Sequence, residues 1–236
     1  RGHGLSDAPT EDRAYELEVL ADDVIAAAEG SGVAADGRRP VLVGHGFGAI
    51  VAAVTASRLG QRCAGLVLVD GGWESIEAST GLDADEFIRG LDEPPEVMRS
   101  LRAFLADRRA FDPATWDDDQ DTAARATVVE THAGRVVPAT RPHALEACVR
   151  AMFTYEPALT LTSVEARVIA LVATEVGANS RAGSRAGALA VVSDARVAAG
   201  HGAIEVRLVE SVGHNLMRYR PTEVTDAILS LARPGP

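Results

Sequence analysis

The stretch VLVGHGFGAIVA, at positions 41–52, constrains the fold of this chain more than any other feature of its sequence. It predicts a buried strand, a glycine-rich turn and the start of a helix of small residues. Two kinds of site use such a turn, because a helix N-terminus offers free N–H donors. The segment GHGFG matches the nucleophile elbow G-x-S-x-G, with Gly46 in the serine position. The spacing of Gly44, Gly46 and Ala49 also matches the dinucleotide fingerprint G-x-G-x-x-G/A.

Apolar runs recur along the chain and alternate with helical patterns. The predicted strands cover residues 41–43, 64–69, 168–173 and 203–209, and the predicted helices cover 17–30, 47–59, 184–199 and a last stretch from 221. The glycine-containing segment RAGSRAG, residues 181–187, is predicted to be a loop. Continuous apolar strands between helices are typical of a parallel sheet covered on both faces. The predicted fold class is therefore α/β, with a mostly parallel, doubly wound sheet.

The alternation stops between residue 71 and about residue 157, where the pattern is helical. The apolar set in this stretch fits either an ordinary core or the lining of a lid over a site. With 236 residues, 47% of them hydrophobic, the chain is long enough for one domain with an insertion. We therefore predict the two parts of the core over residues 1–70 and 158–236, and a helical lid over residues 71–157.

Composition argues against several classes of partner. The formal net charge is −11, whereas proteins that bind nucleic acids need a basic surface. No apolar run approaches the ~18 residues of a membrane span, and the N-terminus shows no signal-peptide pattern. Cys63 and Cys148 stand far apart in unlike contexts, which favours a reducing, cytoplasmic environment. The histidines lack the spacing of a metal site.

Asp70 gives the dinucleotide interpretation partial support. It ends the strand after the turn, 21 positions after Ala49, where an acidic residue would bind the ribose hydroxyls. However, this interpretation gives no role to RGHGLSD, residues 1–7, or to SVGH, residues 211–214. Gly48 is also an extra glycine that the dinucleotide spacing does not use. An NAD-binding oxidoreductase therefore stays as the less favoured alternative.

Four segments in order resemble the α/β-hydrolase superfamily of lid-bearing esterases and lactonases: RGHGLSDAP, VLVGHGFGA, LVLVD and SVGHNL. The resemblance implies the α/β-hydrolase fold, with a helical lid and an active site at the carboxyl edge of the sheet. It also implies about 50–60 residues before RGHG, so that this chain carries the C-terminal half of the sheet. The missing N-terminal segment is accordingly an expected partner, and a homodimer is left open.

The same resemblance assigns roles to particular residues. Gly46 occupies the nucleophile position, Phe47 supplies a backbone N–H to the oxyanion, and His214 is the general base. The acid that orients the base is either Asp70, 24 positions after Gly46, or Glu175. We favour Asp70, because it stands directly at the carboxyl end of a strand; a loop-capping aspartate is the other interpretation.

Three apolar residues are further candidates for substrate binding: Trp73, Met152 and Phe153. For Met152 and Phe153 the other interpretation is an ordinary core stripe. His45 and His3 are expected to be structural, since the first belongs to the turn and the second to the loop RGHG.

The resemblance implies hydrolysis of a small apolar carboxylic ester or lactone by a Ser-His-Asp mechanism, without a cofactor. Because Gly46 replaces the nucleophile, this form is expected to lack normal acyl transfer, as an inactivated variant or a degenerate enzyme. Phe47 fits the pattern G-H-S-F-G of serine enzymes, whereas members with an aspartate nucleophile usually carry tryptophan there. The alternative within the same fold is a protein that binds its small molecule without turnover.

Overall fold

The computed structural model describes residues 1–91, 96–174, 182–210 and 213–232. Its strands are β1 (Val41–His45), β2 (Gly65–Val69), β3 (Val128–Glu130), β4 (Val136–Pro138), β5 (Arg167–Thr174) and β6 (Glu205–Glu210). Its helices are α1 (Leu17–Gly30), α2 (Phe47–Leu59), α3 (Ile76–Thr80), α4 (Ala84–Arg89), α5 (Leu101–Phe111), α6 (Asp118–Ala126), α7 (Pro142–Phe153), α8 (Pro157–Thr162), α9 (Ala182–Ala198), α10 (Leu216–Tyr219) and α11 (Pro221–Ala232).

Four strands form a parallel sheet in the order β1-β2-β5-β6. All five residues of β2 are buried, as expected for a central parallel strand that is covered on both faces. Val67 and Val69 pack with Ala227 and Leu231 of α11 on one face. Side chains alternate along a strand, and the opposite face of β1 and β2 is covered by α2. The prediction of a doubly wound parallel sheet is confirmed.

The predicted strands and helices of this sheet region match the observed ones to within two residues at each end. The loop predicted over residues 181–187 is wrong for residues 182–187, which form the first turns of α9, and the helix predicted from residue 184 begins two residues earlier than expected. Alanine and arginine are among the best helix formers, and here they outweigh the two glycines of the segment.

The chain divides into two compact units, and each has its own core. The unit Leu17–Gly81 with Met152–Pro236 contains the parallel sheet. The unit Arg1–Glu16 with Leu82–Ala151 contains a small core built on Met98, Phe104 and Val136. The lid predicted over residues 71–157 stays a prediction.

The second of these units also contains an antiparallel hairpin of β3 and β4, in a stretch that the sequence predicts to be helical. Each strand carries a pair of valines, and Val129 pairs with Val137. Valine is stiff at χ1 and favours strands over helices, which explains the difference from the predicted pattern. The short length of both strands made this signal easy to miss.

β1 lies at one edge of the four-stranded sheet, and Val43 is 41% exposed. An apolar edge strand is a place where further strands can pair. The N-terminal segment expected beside it stays a prediction.

Candidate active site

The turn between β1 and α2 brings the backbone of Gly46 to the carboxyl edge of the sheet. Gly46 has φ 53° and ψ −122°, a conformation that strains any residue with a side chain. Its N–H donates to the carbonyl oxygen of Val69 at 3.4 Å, which ties the turn to the end of β2. Phe47 begins α2, so its N–H has no acceptor within the helix and is a donor of the kind an oxyanion needs.

Asp70 follows β2 at the same edge and is held rigidly. Its backbone has φ 50°, which is uncommon for a residue other than glycine, and its N–H donates to the carbonyl oxygen of Leu171 at 2.8 Å. The side chain is 2% exposed, and its Oδ1 accepts a hydrogen bond from the N–H of Ala173 at 2.9 Å. Strained backbone of this kind is concentrated at functional sites.

His214 lies in the loop between β6 and α10, and its Nδ1 is 2.6 Å from Oδ2 of Asp70. The two residues are 144 positions apart in the chain. The carbonyl oxygen of His214 accepts hydrogen bonds from Nε2 of His45 and from the N–H of Leu216, both at 3.0 Å. These contacts fix the backbone of His214, while 56% of its side chain remains exposed. Asp70 and His214, both predicted as site residues, are therefore brought together.

The second ring nitrogen of His214 faces the turn. A Cβ atom built on Gly46 would lie 3.3 Å from Nε2 of His214. The imidazole of His214 thus lies between position 46 and the carboxylate of Asp70 and is within reach of both. With Nδ1–H donating to Asp70, Nε2 carries a lone pair and can accept a proton from a group placed above Gly46.

The charges at this site favour an ionised Asp70. Burial alone would raise the pKa of Asp70, but hydrogen bonds from His214 and Ala173 and the charge of Arg185 outweigh it, so the pKa lies below its ordinary value. Burial, and then the proximity of His214, lower the pKa of His45. A neutral His45 donates through Nε2 to the carbonyl oxygen of His214, which is consistent with the structural role expected for it.

The other predicted residues are placed as follows. Trp73 is fully buried after β2, and its indole nitrogen has no hydrogen-bond partner among the described residues. Met152 is buried at the end of α7, and Phe153 beside it is half-buried. A role for these three in substrate binding stays a prediction. Glu175, the alternative acid, lies outside the described residues.

Sequence reasoning missed Arg185, which contacts Asp70 from α9. It lies where the predicted loop 181–187 and the predicted helix 184–199 overlap, and no local motif marks it. His3 is a structural residue of its loop, as the sequence suggested: its Nδ1 lies 2.8 Å from the carbonyl oxygen of Arg1, and its backbone forms an antiparallel β-bridge with Thr140.

Two negative findings concern the described residues alone. They include no group of three or more histidine, cysteine, aspartate or glutamate side chains that could hold a metal ion. None of the helices described combines the length and apolar character that crossing a membrane requires.

Known proteins resemble this chain in sequence pattern and in fold. A family model described as "Alpha/beta hydrolase family" matches residues 1–227. A search of curated proteins found no significant match. Many solved structures match. An E-2-(acetamidomethylene)succinate hydrolase is 21% identical over 98% of this chain and 78% of its own, with a TM-score of 0.74. An esterase of M. tuberculosis is 17% identical over 98% of this chain and 73% of its own, with a TM-score of 0.69. An alpha/beta hydrolase from Novosphingobium aromaticivorans is 22% identical over 98% of this chain and 77% of its own, with a TM-score of 0.64. At these identities the likeness concerns the fold, and it agrees with the fold class expected from the sequence.

Proposed function

This chain belongs to the alpha/beta hydrolase family, and we propose that its site is built for the hydrolysis of small apolar carboxylic esters or lactones. In this proposal Gly46 holds the place of the nucleophile, His214 is the general base and Asp70 is the acid that orients it. The form with glycine lacks normal acyl transfer.

One observation carries the proposal: the Cβ position of Gly46 lies 3.3 Å from Nε2 of His214, while Nδ1 of the same ring is 2.6 Å from Asp70. A serine at position 46 would place its hydroxyl within reach of the base. The carboxylate would hold the imidazole in the tautomer that accepts the proton.

The proposed reaction of a serine form follows from these contacts. The hydroxyl oxygen would attack the acyl carbon as its proton passes to Nε2 of His214, and the N–H of Phe47 would donate to the oxyanion. The alcohol group would leave with the proton from His214, which leaves an acyl-enzyme. A water molecule, deprotonated by the same nitrogen, would then release the acid and restore the hydroxyl.

The proposed substrate class is supported by the resemblance to esterases and lactonases and by the names of similar structures. One similar structure is named an esterase, and another is named for a succinate that bears an acetamido group. An ester or lactone is the class we propose. An amide belongs in the test panel because the second name describes one.

The site bears differently on the two alternatives to hydrolysis, a non-catalytic binding protein and an NAD-binding oxidoreductase. A protein that binds its small molecule without turnover is favoured by the absence of a hydroxyl at Gly46 itself. The NAD-binding alternative is disfavoured by Asp70, because its carboxylate is 2% exposed and both of its oxygens already contact protein groups. A ribose hydroxyl would have to displace one of those contacts.

The test is the substitution Gly46→Ser in the full-length gene product, with Gly46→Ala as the matched control. Both variants carry the same backbone strain, but only serine adds a hydroxyl. We expect Gly46→Ser to react with a fluorophosphonate probe and to gain several orders of magnitude in kcat, since a site without its nucleophile retains only ~10³-fold catalysis over water. Adding His214→Ala should abolish the gain.

The opposite result is equally informative. If Gly46→Ser folds but neither reacts with the probe nor turns over any ester, lactone or amide, the site is not an acyl-transfer site. The binding alternative then replaces the proposal.

A further inference from the structure

Arg185 binds the candidate site through three hydrogen bonds and lies against the ring of Trp73. Its Nη1 donates to Oδ1 of Asp70 at 2.8 Å, and its Nη2 donates to the carbonyl oxygen of Asp70 at 3.1 Å. Its Nε donates to Oε2 of Glu74 at 2.9 Å. The guanidinium carbon lies 5.1 Å from the centre of the Trp73 ring. One side chain of α9 thus binds three residues of the segment that follows β2.

The two carboxylate oxygens of Asp70 have different partners. Oδ1 accepts from Arg185 and from the N–H of Ala173, whereas Oδ2 faces Nδ1 of His214. A carboxylate held by two donors on one oxygen cannot rotate without losing both hydrogen bonds. The second oxygen is thereby kept in place for the imidazole.

From this geometry we propose that Arg185 is a positioning residue, which fixes Asp70 so that His214 keeps its proton on Nδ1 and presents the lone pair of Nε2 to position 46. The expected effect of Arg185 on catalysis rests on the proposed function, whereas its effect on the tautomer of His214 does not. The orientation of the imidazole can be measured in the protein with Gly46 in place.

Burial makes the contact effective. The side chain of Asp70 is 2% exposed, that of Arg185 19% and that of Glu74 16%. A charged pair in such surroundings is weakly screened by solvent, and a forked guanidinium fixes geometry as well as charge. Glu74 holds the third nitrogen of the fork, so Arg185 has little freedom to leave Asp70.

The other groups that face the pair do not replace Arg185. His45 lies 4.2 Å from His214 between ring centres, but its Nε2 is bound to the carbonyl oxygen of His214 and not to Asp70. The remaining donor on the carboxylate is the N–H of Ala173, which fixes one point only. Free imidazole favours the tautomer with the proton on Nε2, so a carboxylate that loses its orientation should lose control of the tautomer.

The first test uses ¹⁵N NMR of the histidine rings at neutral pH, in the protein with Gly46 unchanged. The signals of His214 are assigned by their loss in His214→Gln. We expect a dominant Nδ1–H tautomer for His214 in the starting protein and a clear rise of the Nε2–H tautomer in Arg185→Gln. Arg62→Gln is the matched control, because Arg62 pairs with Glu29 on the surface and lies before β2, at the end of the strand away from the site.

The second test adds Gly46→Ser. There, Arg185→Gln should lower kcat about 10- to 100-fold with little change in KM, less than the ~10⁴-fold known for loss of an orienting carboxylate itself. Arg185→Lys, which keeps the charge but not the fork, should recover part of the loss.

The outcomes distinguish the positioning role of Arg185 from the proposed hydrolytic function. Unchanged ¹⁵N signals of His214 in folded Arg185→Gln overturn the positioning role, whatever the activity of Gly46→Ser. If Gly46→Ser is inactive but the tautomer shifts, the proposed function fails and the positioning role stands. Should Arg185→Gln not fold, Arg185→Lys takes its place in the NMR test, with a smaller shift of the same sign expected and an unchanged spectrum contradicting the inference.

Discussion

A Cβ atom built on Gly44 would lie 2.1 Å from the carbonyl oxygen of Gly48, so these two residues meet backbone to backbone inside the turn. The Cβ position of Gly48, in contrast, has no heavy atom within 4 Å outside its immediate neighbours. The two glycines of the same turn are therefore not equivalent. One is required by close packing, whereas the other stands in the first turn of α2 with open space around it.

Gly44→Ala and Gly48→Ala should differ in sign. We expect Gly44→Ala to lower the free energy of unfolding by about 3 kcal/mol or more, because backbone atoms must move to accept the methyl group. Gly48→Ala should raise it by about 0.5–1 kcal/mol, since alanine favours a helix and restricts the unfolded chain. Urea denaturation followed by circular dichroism measures both. Equal effects of the two substitutions would contradict the close contact at Gly44.

Asp70 should make the stability of the protein depend on pH in the acid range. Its pKa in the folded protein lies below that of the unfolded chain, about 3.9, so the ionised carboxylate stabilises the fold above that pH. This contribution is lost as the pH falls through the folded pKa. Asp70→Asn should therefore be less stable than the starting protein at pH 6, and the difference should shrink as the pH falls below about 4.

Urea denaturation at a series of pH values measures this difference. Asp226→Asn is the control, because Asp226 is exposed on α11. A difference between the starting protein and Asp70→Asn that stays constant from pH 6 to pH 3 would show that the ionisation of Asp70 is not coupled to folding.

Arg196 is expected to be a major stabilising residue of α9. It is 1% exposed, and it donates four hydrogen bonds to the carbonyl oxygens of Leu161, Val164, Ala166 and Gly202. Arg196→Met keeps much of the apolar stem but leaves these carbonyls without their donor. The free energy of unfolding should fall by about 2–4 kcal/mol, because an unsatisfied buried polar group carries its full desolvation cost.

The control for this prediction is Arg167→Met. Arg167 is 67% exposed and pairs with Glu205 on the surface, so its loss should change the free energy of unfolding by less than about 1 kcal/mol. Thermal and urea denaturation compare the two variants. A similar, small effect of both would mean that the carbonyls around Arg196 find other donors.

Much of the sheet was predictable because its signal is local. The runs at β2 and β5 are apolar at nearly every position, and their length excludes a helix of ordinary size. The hairpin of β3 and β4 was missed, since three residues per strand are too few for a period to stand out from the helical pattern around them.

For the site, the sequence by itself determined the turn at Gly46 and placed Asp70 and His214 after strands, because parallel strands bring their carboxyl ends to one edge. It left open whether Asp70 or Glu175 would meet the histidine. Only the tertiary structure decided that Asp70 contacts His214 across 144 positions, and that Arg185 contacts Asp70 across 115. Local patterns report the burial of a residue and the period of its element. The pairing of side chains from β2, β6 and α9 depends instead on how those elements pack, which no short segment of sequence encodes.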